Sequence, residues 1–232
     1  MSHATQTSAA HLQDVTAQDV ARTVIASAEG AGRFDSPYRY YLLTDFFPPA
    51  VYAALNDLAV PAPSLSGVSG RRELHNDTRS YADAKSMVEF PVLRIVANAL
   101  QSEPVIKALA KAFDAPIDDT FLRLEYALDI DGFWLEPHTD LGVKKFTCLI
   151  YLSDGPGHDE LGTDIYANKE THIGRTPFTP NSAMVFIPSD HTWHGFEKRP
   201  IHGVRKSLIL NYVTHDWRAR EQLAFPDAPV RV

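Results

Sequence analysis

The chain has 232 residues, of which 44% are hydrophobic and 22% are charged, and its formal net charge is −7. This is the composition of a globular protein with a buried core, which excludes a disordered chain. The acidic balance argues against a partner that is nucleic acid or an acidic membrane, and the single cysteine, Cys148, excludes an internal disulfide. The unusual count is histidine, with ten residues.

No segment of the chain predicts a membrane span. The longest apolar runs, such as 147–152, are far shorter than the roughly 20 residues that a span needs. The first dozen residues are polar and have neither the basic nor the apolar region of a signal peptide. We therefore expect a cytoplasmic protein with no membrane partner.

The first half of the chain is predicted to be mainly helical. Residues 1–13 are expected to fray. A helix then begins at Thr16, an N-cap with Asp19 at the third helical position, and ends at Gly30. The elements predicted after it are a strand over 38–43, a helix over 50–59, a long loop over 60–87, and two helical segments over 88–113.

The second half changes character, because short strand-like runs follow one another with turn residues and no helical period between them. This pattern predicts an antiparallel sandwich or barrel, with the helices of the first half on one outer face. We predict one domain over 1–232, with helical support and a substrate-side loop over 14–120, a core with the metal site over 121–216, and a C-terminal extension over 217–232. The predicted strands are 121–128, 145–152, 164–167, 182–187 and 207–213.

One short motif, P-H-T-D at 137–140, places two metal-ligand side chains at positions i and i+2. In extended backbone such side chains point to the same side, so His138 and Asp140 can bind one ion. His194 follows the strand predicted over 182–187 and can fold back beside them. Two histidines and one carboxylate on one face of an octahedral ion form the facial triad of non-haem Fe(II) oxygenases, with three positions open.

Other histidines offer alternatives. His75 and Asp77 form a second pair, but they lie in the predicted loop, so a substrate-facing or surface position is expected. His191 and His202 lie near His194; we prefer His194 as the distal ligand and expect His191 at the rim. A hydrolytic zinc site is also compatible with two histidines and one aspartate.

Arg205 and Ser207, again at i and i+2, lead the last predicted strand. A buried arginine holds a carboxylate in a two-pronged salt bridge, and a serine hydroxyl can add a hydrogen bond. A protein that only stores metal, or a zinc hydrolase, has no need of this pair. The pair therefore favours an enzyme that binds a carboxylate close to its metal.

Five segments, taken in order, match the motifs of one known family. They are P-H-T-D at 137–140, F-T-C-L-I-Y-L at 146–152, A-M-V-F-I-P at 183–188, H-G-F at 194–196 and G-V-R-K-S-L at 203–208. In these segments the chain resembles the 2-oxoglutarate- and Fe(II)-dependent oxygenases, nearest their prolyl-hydroxylase-like branch. The resemblance covers 121–216 and more loosely 38–59. It implies a mainly β fold with flanking helices, in which the strands form a double-stranded β-helix, the jelly roll of cupin-like proteins.

The resemblance also implies a reaction. His138, Asp140 and His194 would bind Fe(II), and O2 would drive oxidative decarboxylation of 2-oxoglutarate to succinate and CO2, coupled to hydroxylation of a C–H bond. Ascorbate would serve as a reductant. Relatives that halogenate have a small residue in place of the aspartate, so Asp140 favours hydroxylation, with desaturation or ring closure as variants.

Four residues are expected to bind the co-substrate on the same grounds. Arg205, supported by Ser207, would pair with the distal carboxylate of 2-oxoglutarate. Tyr151 matches a position at which relatives present a tyrosine to that carboxylate. Tyr126 is a weaker candidate, because its spacing to His138 is longer than in those relatives.

The substrate is expected to be a small metabolite or a free amino acid. The alternative is a residue within a peptide or protein, for which the loop over 60–87 would form an open groove. The alternative of another class is a metal-binding jelly roll without turnover.

The oligomeric state is not predicted. Of Lys144 and Lys145, at most one faces the site. The expected substrate contacts are Arg71, His75, Asn76 and Arg79 near the loop, and Phe133, Trp134 and Trp193 near the triad.

Overall fold

The computed structural model describes residues 14–61, 79–140 and 142–232. The strands of these ranges are β1 (Gly32–Phe34), β2 (Tyr40–Leu43), β3 (Arg79–Tyr81), β4 (Phe121–Asp129), β5 (Leu135–His138), β6 (Lys144–Tyr151), β7 (Asp164–Asn168), β8 (Thr171–Arg175), β9 (Ser182–Phe186), β10 (His194–Phe196) and β11 (Arg205–Val213). They form a seven-stranded sheet in the order β1-β2-β9-β6-β11-β4-β3 and a four-stranded sheet in the order β5-β10-β7-β8. The paired strands are antiparallel in both sheets.

The α-helices of the described ranges come before β4, and two short 3-10 helices, His158–Glu160 and Arg220–Gln222, come after it. The α-helices are α1 (Ala17–Glu29), α2 (Pro49–Asn56), α3 (Ala84–Glu89), α4 (Pro91–Gln101) and α5 (Glu103–Phe113). The capping box of Thr16 and Asp19 opens α1, and Gly30 closes it, which confirms the sequence prediction. None of the helices in these ranges is long and apolar enough to cross a membrane.

The large sheet separates two environments because its strands alternate in side-chain character. On β4, Leu124 and Tyr126 belong to the core that the sheet shares with the helices, whereas Glu125 and Asp129 line a cavity on the other face. The same cavity is lined by residues of the four-stranded sheet, so it lies between the two sheets. The prediction of a mainly β fold with helices on one outer face is confirmed.

The prediction of a loop over 60–87 is wrong at its C-terminal end, where β3 and α3 form. Strand β3 has only three residues, which is too short for a visible alternation of polar and apolar side chains. Helix α3 begins with a capping box of Asp83 and Ser86, and this signal is present in the sequence. The helix has only six residues, however, which is too few to show a helical period of apolar side chains. Four further short strands, β1, β5, β8 and β10, were not predicted either.

Candidate metal and co-substrate site

Two histidines meet in the small sheet because β5 and β10 pair with His138 and His194 in register. Their ring centroids lie 4.3 Å apart. Nδ1 of His138 lies 2.9 Å from the carbonyl oxygen of Glu136, and Nδ1 of His194 lies 2.9 Å from that of Thr192. Because a carbonyl oxygen can only accept, each Nδ1 carries the hydrogen and each Nε2 is the atom suited to bind metal.

Asp140 completes a group of three ligands whose donor atoms all lie within 4.8 Å of one another. Lys144 Nζ donates to Oδ1 of this carboxylate at 2.5 Å, and Thr147 Oγ1 donates to Oδ2 at 2.6 Å. Both bonds fix the orientation of the carboxylate in a buried position. Two imidazoles and one carboxylate are the donor set of the facial triad, so these residues fit an Fe(II) ion that keeps three positions open.

The alternative histidines lie elsewhere. The side chain of His191 is 76% exposed and pairs with Asp190 at 2.8 Å. His202 is exposed, and its carbonyl oxygen lies 2.7 Å from Nε2 of the buried His158. The structure thus brings His194 to the predicted pair and leaves His191 and His202 outside the group.

Gly195 explains why glycine follows the distal histidine. A Cβ atom at this position would lie 2.8 Å from the carbonyl oxygen of Leu135, closer than real Cβ contacts come. The H-G motif therefore reflects the close approach of β10 to β5, the two strands that carry the histidines.

Gly195→Ala is expected to destabilise the fold by about 1–3 kcal/mol and to weaken metal binding, because β5 and β10 must move apart. Chemical denaturation and metal titration measure the two effects. The matched control is Gly174→Ala on β8 of the same sheet, where a Cβ atom would meet no described atom within 4 Å. Equal losses in both variants would contradict the explanation by close approach.

Arg205 and Ser207 lie on the wall opposite the small sheet, at the start of β11. Arg205 Nε donates to the carbonyl oxygen of Leu161 at 2.8 Å, and its Nη1 donates to Asp129 Oδ2 at 2.6 Å. These bonds orient a guanidinium that has five N–H donors. Ser207 Oγ is buried and has no hydrogen-bond partner among the described residues. A buried hydroxyl is rarely left unpaired, so a ligand oxygen fits here, as the distal carboxylate of 2-oxoglutarate requires.

Tyr151 lies close to this pair without lining the cavity. Its hydroxyl is 2.8 Å from Thr163 Oγ1 and 2.8 Å from Thr176 Oγ1, and Thr163 lines the cavity in its place. Burial raises the pKa of Tyr151, and the two threonines only partly offset it, so the phenol stays neutral. The structure therefore places Thr163, which the sequence did not single out, between the tyrosine and the cavity.

Tyr126 lies on the opposite face of the sheet. Its hydroxyl donates to the carbonyl oxygen of Leu55 at 2.8 Å within the core shared with the helices. Its neighbours Glu125 and Ala127 line the cavity instead, because successive side chains of a strand point to opposite faces. The structure does not bring Tyr126 to the site.

A line of five alternating charges runs along one wall of the cavity; four of its side chains line the cavity, and all five are at most 10% exposed. The nitrogen–oxygen distances along it are 2.6, 3.1, 2.8 and 2.6 Å. The register of β3 on β4 places Arg79 opposite Ala127, between the two acidic side chains. We call this line the charged row; its members in order are Arg123, Glu125, Arg79, Asp129 and Arg205.

Comparisons with known proteins bear on the fold. No protein-family model and no curated protein matches the chain, but solved structures do. A prolyl 4-hydroxylase from Phytophthora capsici has a TM-score of 0.56 at 16% identity, over 88% of this chain and 67% of that one. A Trichoplax adhaerens prolyl hydroxylase, in complex with a peptide fragment of the hypoxia inducible factor oxygen degradation domain, gives 0.54 at 14% over 88% and 93%. A Pseudomonas putida prolyl-4-hydroxylase gives 0.51 at 14% over 84% and 98%.

The chain has the fold of the prolyl-hydroxylase-like oxygenases. The predicted jelly roll is thereby confirmed, and the resemblance noted in the sequence holds for the fold. At 14–16% identity the likeness concerns the fold alone, so the activity depends on the residues of the site.

Within this fold, only some of the predicted substrate contacts line the cavity. Phe133 lines the cavity, with the guanidinium carbon of Arg79 at 5.5 Å from its ring centre. Trp134 and Trp193 are half-buried and are not part of the cavity lining. The predicted contacts that lie outside the described residues are Arg71, His75 and Asn76.

A second group of His, Asp and Glu side chains lies close enough together to hold a metal ion, but it forms an ion-pair cluster instead. Asp164, His172 and Glu197 also have donor atoms within 4.8 Å of one another. However, Asp164 accepts from Arg175 Nε at 2.9 Å and from Arg199 Nη1 at 2.6 Å. Burial would raise the pKa of Asp164, but the bonds from Arg199 and from the amide of Glu197 lower it below its ordinary value. The two arginines already compensate this carboxylate, so it has no need of a metal ion.

Proposed function

We propose that the protein is a non-haem Fe(II) dioxygenase that couples oxidative decarboxylation of 2-oxoglutarate to hydroxylation of a C–H bond in a small metabolite or amino acid. The observation that carries this proposal is that one cavity is lined both by His138, Asp140 and His194 and by the Arg205–Ser207 pair. The iron, when bound, would supply the oxygen chemistry. The remaining work of binding and orientation falls to the side chains of the chain.

At the metal end of the cavity, Lys144 and Thr147 position the carboxylate of Asp140. Each donates to a different oxygen of that carboxylate, so its rotation is restricted before an ion binds. The carbonyl groups that hold both Nδ1 atoms do the same for the imidazoles. Such outer contacts typically change metal affinity by about 10–100-fold when they are lost.

At the co-substrate end, Arg205 and Ser207 would bind the distal carboxylate of 2-oxoglutarate. The guanidinium carbon of Arg205 lies 4.7 Å from the ring centre of Phe196 and 5.4 Å from that of Phe178. These rings exclude water from the guanidinium, which strengthens its attraction for a carboxylate. Thr163, which directly precedes β7 of the small sheet, also lines this cavity.

The test is anaerobic addition of Fe(II) and 2-oxoglutarate to the metal-free protein. A weak visible charge-transfer band is expected, followed by succinate on admission of O2. Metal binding with neither band nor succinate would instead indicate a metal-binding jelly roll or a hydrolase, and would overturn the proposal.

A residue within a peptide is the second candidate substrate. It is favoured by the Trichoplax adhaerens prolyl hydroxylase, which has a similar fold and was solved with a peptide fragment. Succinate release stimulated by proline-containing peptides, but not by free amino acids, would select this alternative.

A further inference from the structure

Asn211 is a fully buried asparagine in the interior of β11. Asparagine is depleted in strands, and a buried amide is costly unless its hydrogen bonds are made. The side chain does not line the cavity, and the proposed function does not use it. Its hydrogen bonds, however, connect it to a ligand of the metal site.

The register of the large sheet places Asn211 between two polar residues of neighbouring strands. It lies opposite Arg123 on β4 and opposite Thr147 on β6. Side chains of directly opposite residues lie on the same face and meet, and these three residues are at most 3% exposed. Arg123 Nη1 lies 3.2 Å from Asn211 Oδ1, and Asn211 Nδ2 lies 2.9 Å from Thr147 Oγ1.

The direction of each hydrogen bond follows from Arg123, because a guanidinium only donates. The side-chain oxygen of Asn211 must therefore face Arg123, which turns its NH2 group toward Thr147. The hydroxyl of Thr147 accepts from that group, so its single hydrogen donates to Asp140 Oδ2, which lies 2.6 Å away. We call this chain the amide relay; its members in order are Arg123, Asn211, Thr147 and Asp140.

The outer end of the amide relay is held firmly. The guanidinium carbon of Arg123 lies 4.8 Å from each of two aromatic ring centres, and its Nη2 pairs with Glu125 at 2.6 Å. The amide nitrogen of Asn211 also donates to the carbonyl oxygen of Phe146 at 3.3 Å. The amide cannot turn over without breaking its bonds to Arg123, Thr147 and Phe146. The direction in which Thr147 donates is therefore fixed from outside the metal site.

We propose that Asn211 is a positioning residue of the metal site, which holds the hydroxyl of Thr147 as a donor to Asp140 and so keeps that carboxylate in one orientation for metal binding. This inference rests on the proposed function, because it takes Asp140 as a metal ligand. It extends the metal site to a residue that does not line the cavity.

The experiment measures the Zn(II) affinity of the full chain by competition with a chelator, so it does not depend on turnover. Thr147→Val keeps the shape of the side chain and removes the hydroxyl. Its affinity is expected to fall by about 10–100-fold, the usual effect of losing an outer contact of a metal ligand. Asn211→Leu removes the amide at similar volume. Its affinity is expected to fall by about 2–10-fold, because Thr147 keeps its hydroxyl but no longer has its direction imposed.

The double variant of Thr147→Val and Asn211→Leu separates a relay from a purely structural role. If Asn211 acts through Thr147, the double variant should bind Zn(II) as tightly as Thr147→Val alone, because no hydroxyl is left to orient. Losses of affinity that add in the double variant would mean that Asn211 acts independently of Thr147.

Gln222→Met is the matched control. Gln222 Oε1 accepts from Arg123 Nε at 3.0 Å, as Asn211 Oδ1 accepts from Nη1 of the same guanidinium, but Gln222 lies outside the amide relay. Its variant is expected to keep the wild-type affinity for Zn(II). If chemical denaturation shows that Asn211→Leu does not fold, Asn211→Thr, which suits a strand and removes the amide, takes its place with the same expectation.

Three results would overturn the proposal: an unchanged Zn(II) affinity in either single variant of the amide relay, additive losses in the double variant, or an equal loss in Gln222→Met. A wild-type protein that does not bind Zn(II) would overturn the proposed function together with this inference. A wild-type protein that binds both Zn(II) and 2-oxoglutarate, with any of the three results, would overturn this inference alone.

Discussion

His194→Ala is expected to lower the affinity for Fe(II) or Zn(II) by more than about 100-fold and to abolish succinate formation. The variant leaves two protein ligands where the site presents three, and losing a direct ligand should exceed the effect of losing an outer contact. The measurement is metal titration against a competing chelator, followed by a succinate assay with Fe(II) and 2-oxoglutarate.

The control for this variant is His191→Ala, three positions earlier. The His191 side chain is 76% exposed and lies outside the group of three, so metal affinity and succinate formation should stay at the wild-type level. Loss of metal binding in His191→Ala with retention in His194→Ala would show that the distal ligand has been misassigned.

Arg205→Gln is expected to raise the KM for 2-oxoglutarate by about 10–100-fold while leaving metal affinity unchanged. Arg205 donates to Leu161 and Asp129, which are not proposed metal ligands, so the two properties should separate. Fluorescence or absorption titration of the metal-loaded protein gives the affinity for 2-oxoglutarate, and steady-state succinate release gives KM.

Lys206→Gln is the neighbouring control. Lys206 has the same charge, but its Nζ donates to the carbonyl oxygen of Asn56 on the helix side of the sheet. Its loss should not change the KM for 2-oxoglutarate. An equal increase in both variants would mean that Arg205 acts through the general charge of β11, not through direct contact.

The sequence predicted much of the metal site because its geometry is partly local. His138 and Asp140 share a side at any place where the backbone is extended, so their pairing needed no knowledge of the fold. The preference for His194 needed a family spacing, since its position depends on the register of β10 on β5. That register is a long-range property, and β10 has only three residues.

The sequence alone contains the information that excludes Tyr126 from the site. Residues 121–129 alternate between apolar side chains and the set that includes Glu125 and Asp129, and the apolar set includes Tyr126. Since alternate residues of a strand share a face, that pattern already assigned Tyr126 to the apolar side. Tyr151 differs, because its exclusion from the cavity depends on Thr163, which another strand brings between them.

The charged row could not be predicted, because two of its members, Arg79 and Arg205, come from strands that are far from β4 in the chain. The charges of β4 stand in the sequence at alternate positions, but nothing local indicates that β3 places Arg79 between them. A solvated loop charge and a buried cation look alike in a single sequence. Only the strand pairing distinguishes the two.

The register that joins His138 to His194 has a consequence for stability. An ion bound by both would act as a cross-link between β5 and β10, two strands that are distant in the sequence and adjacent in the small sheet. Binding energy at such a site is also folding energy. The four-stranded sheet should therefore gain more protection from hydrogen exchange on metal binding than the helix-backed sheet, whose pairing does not depend on the ion.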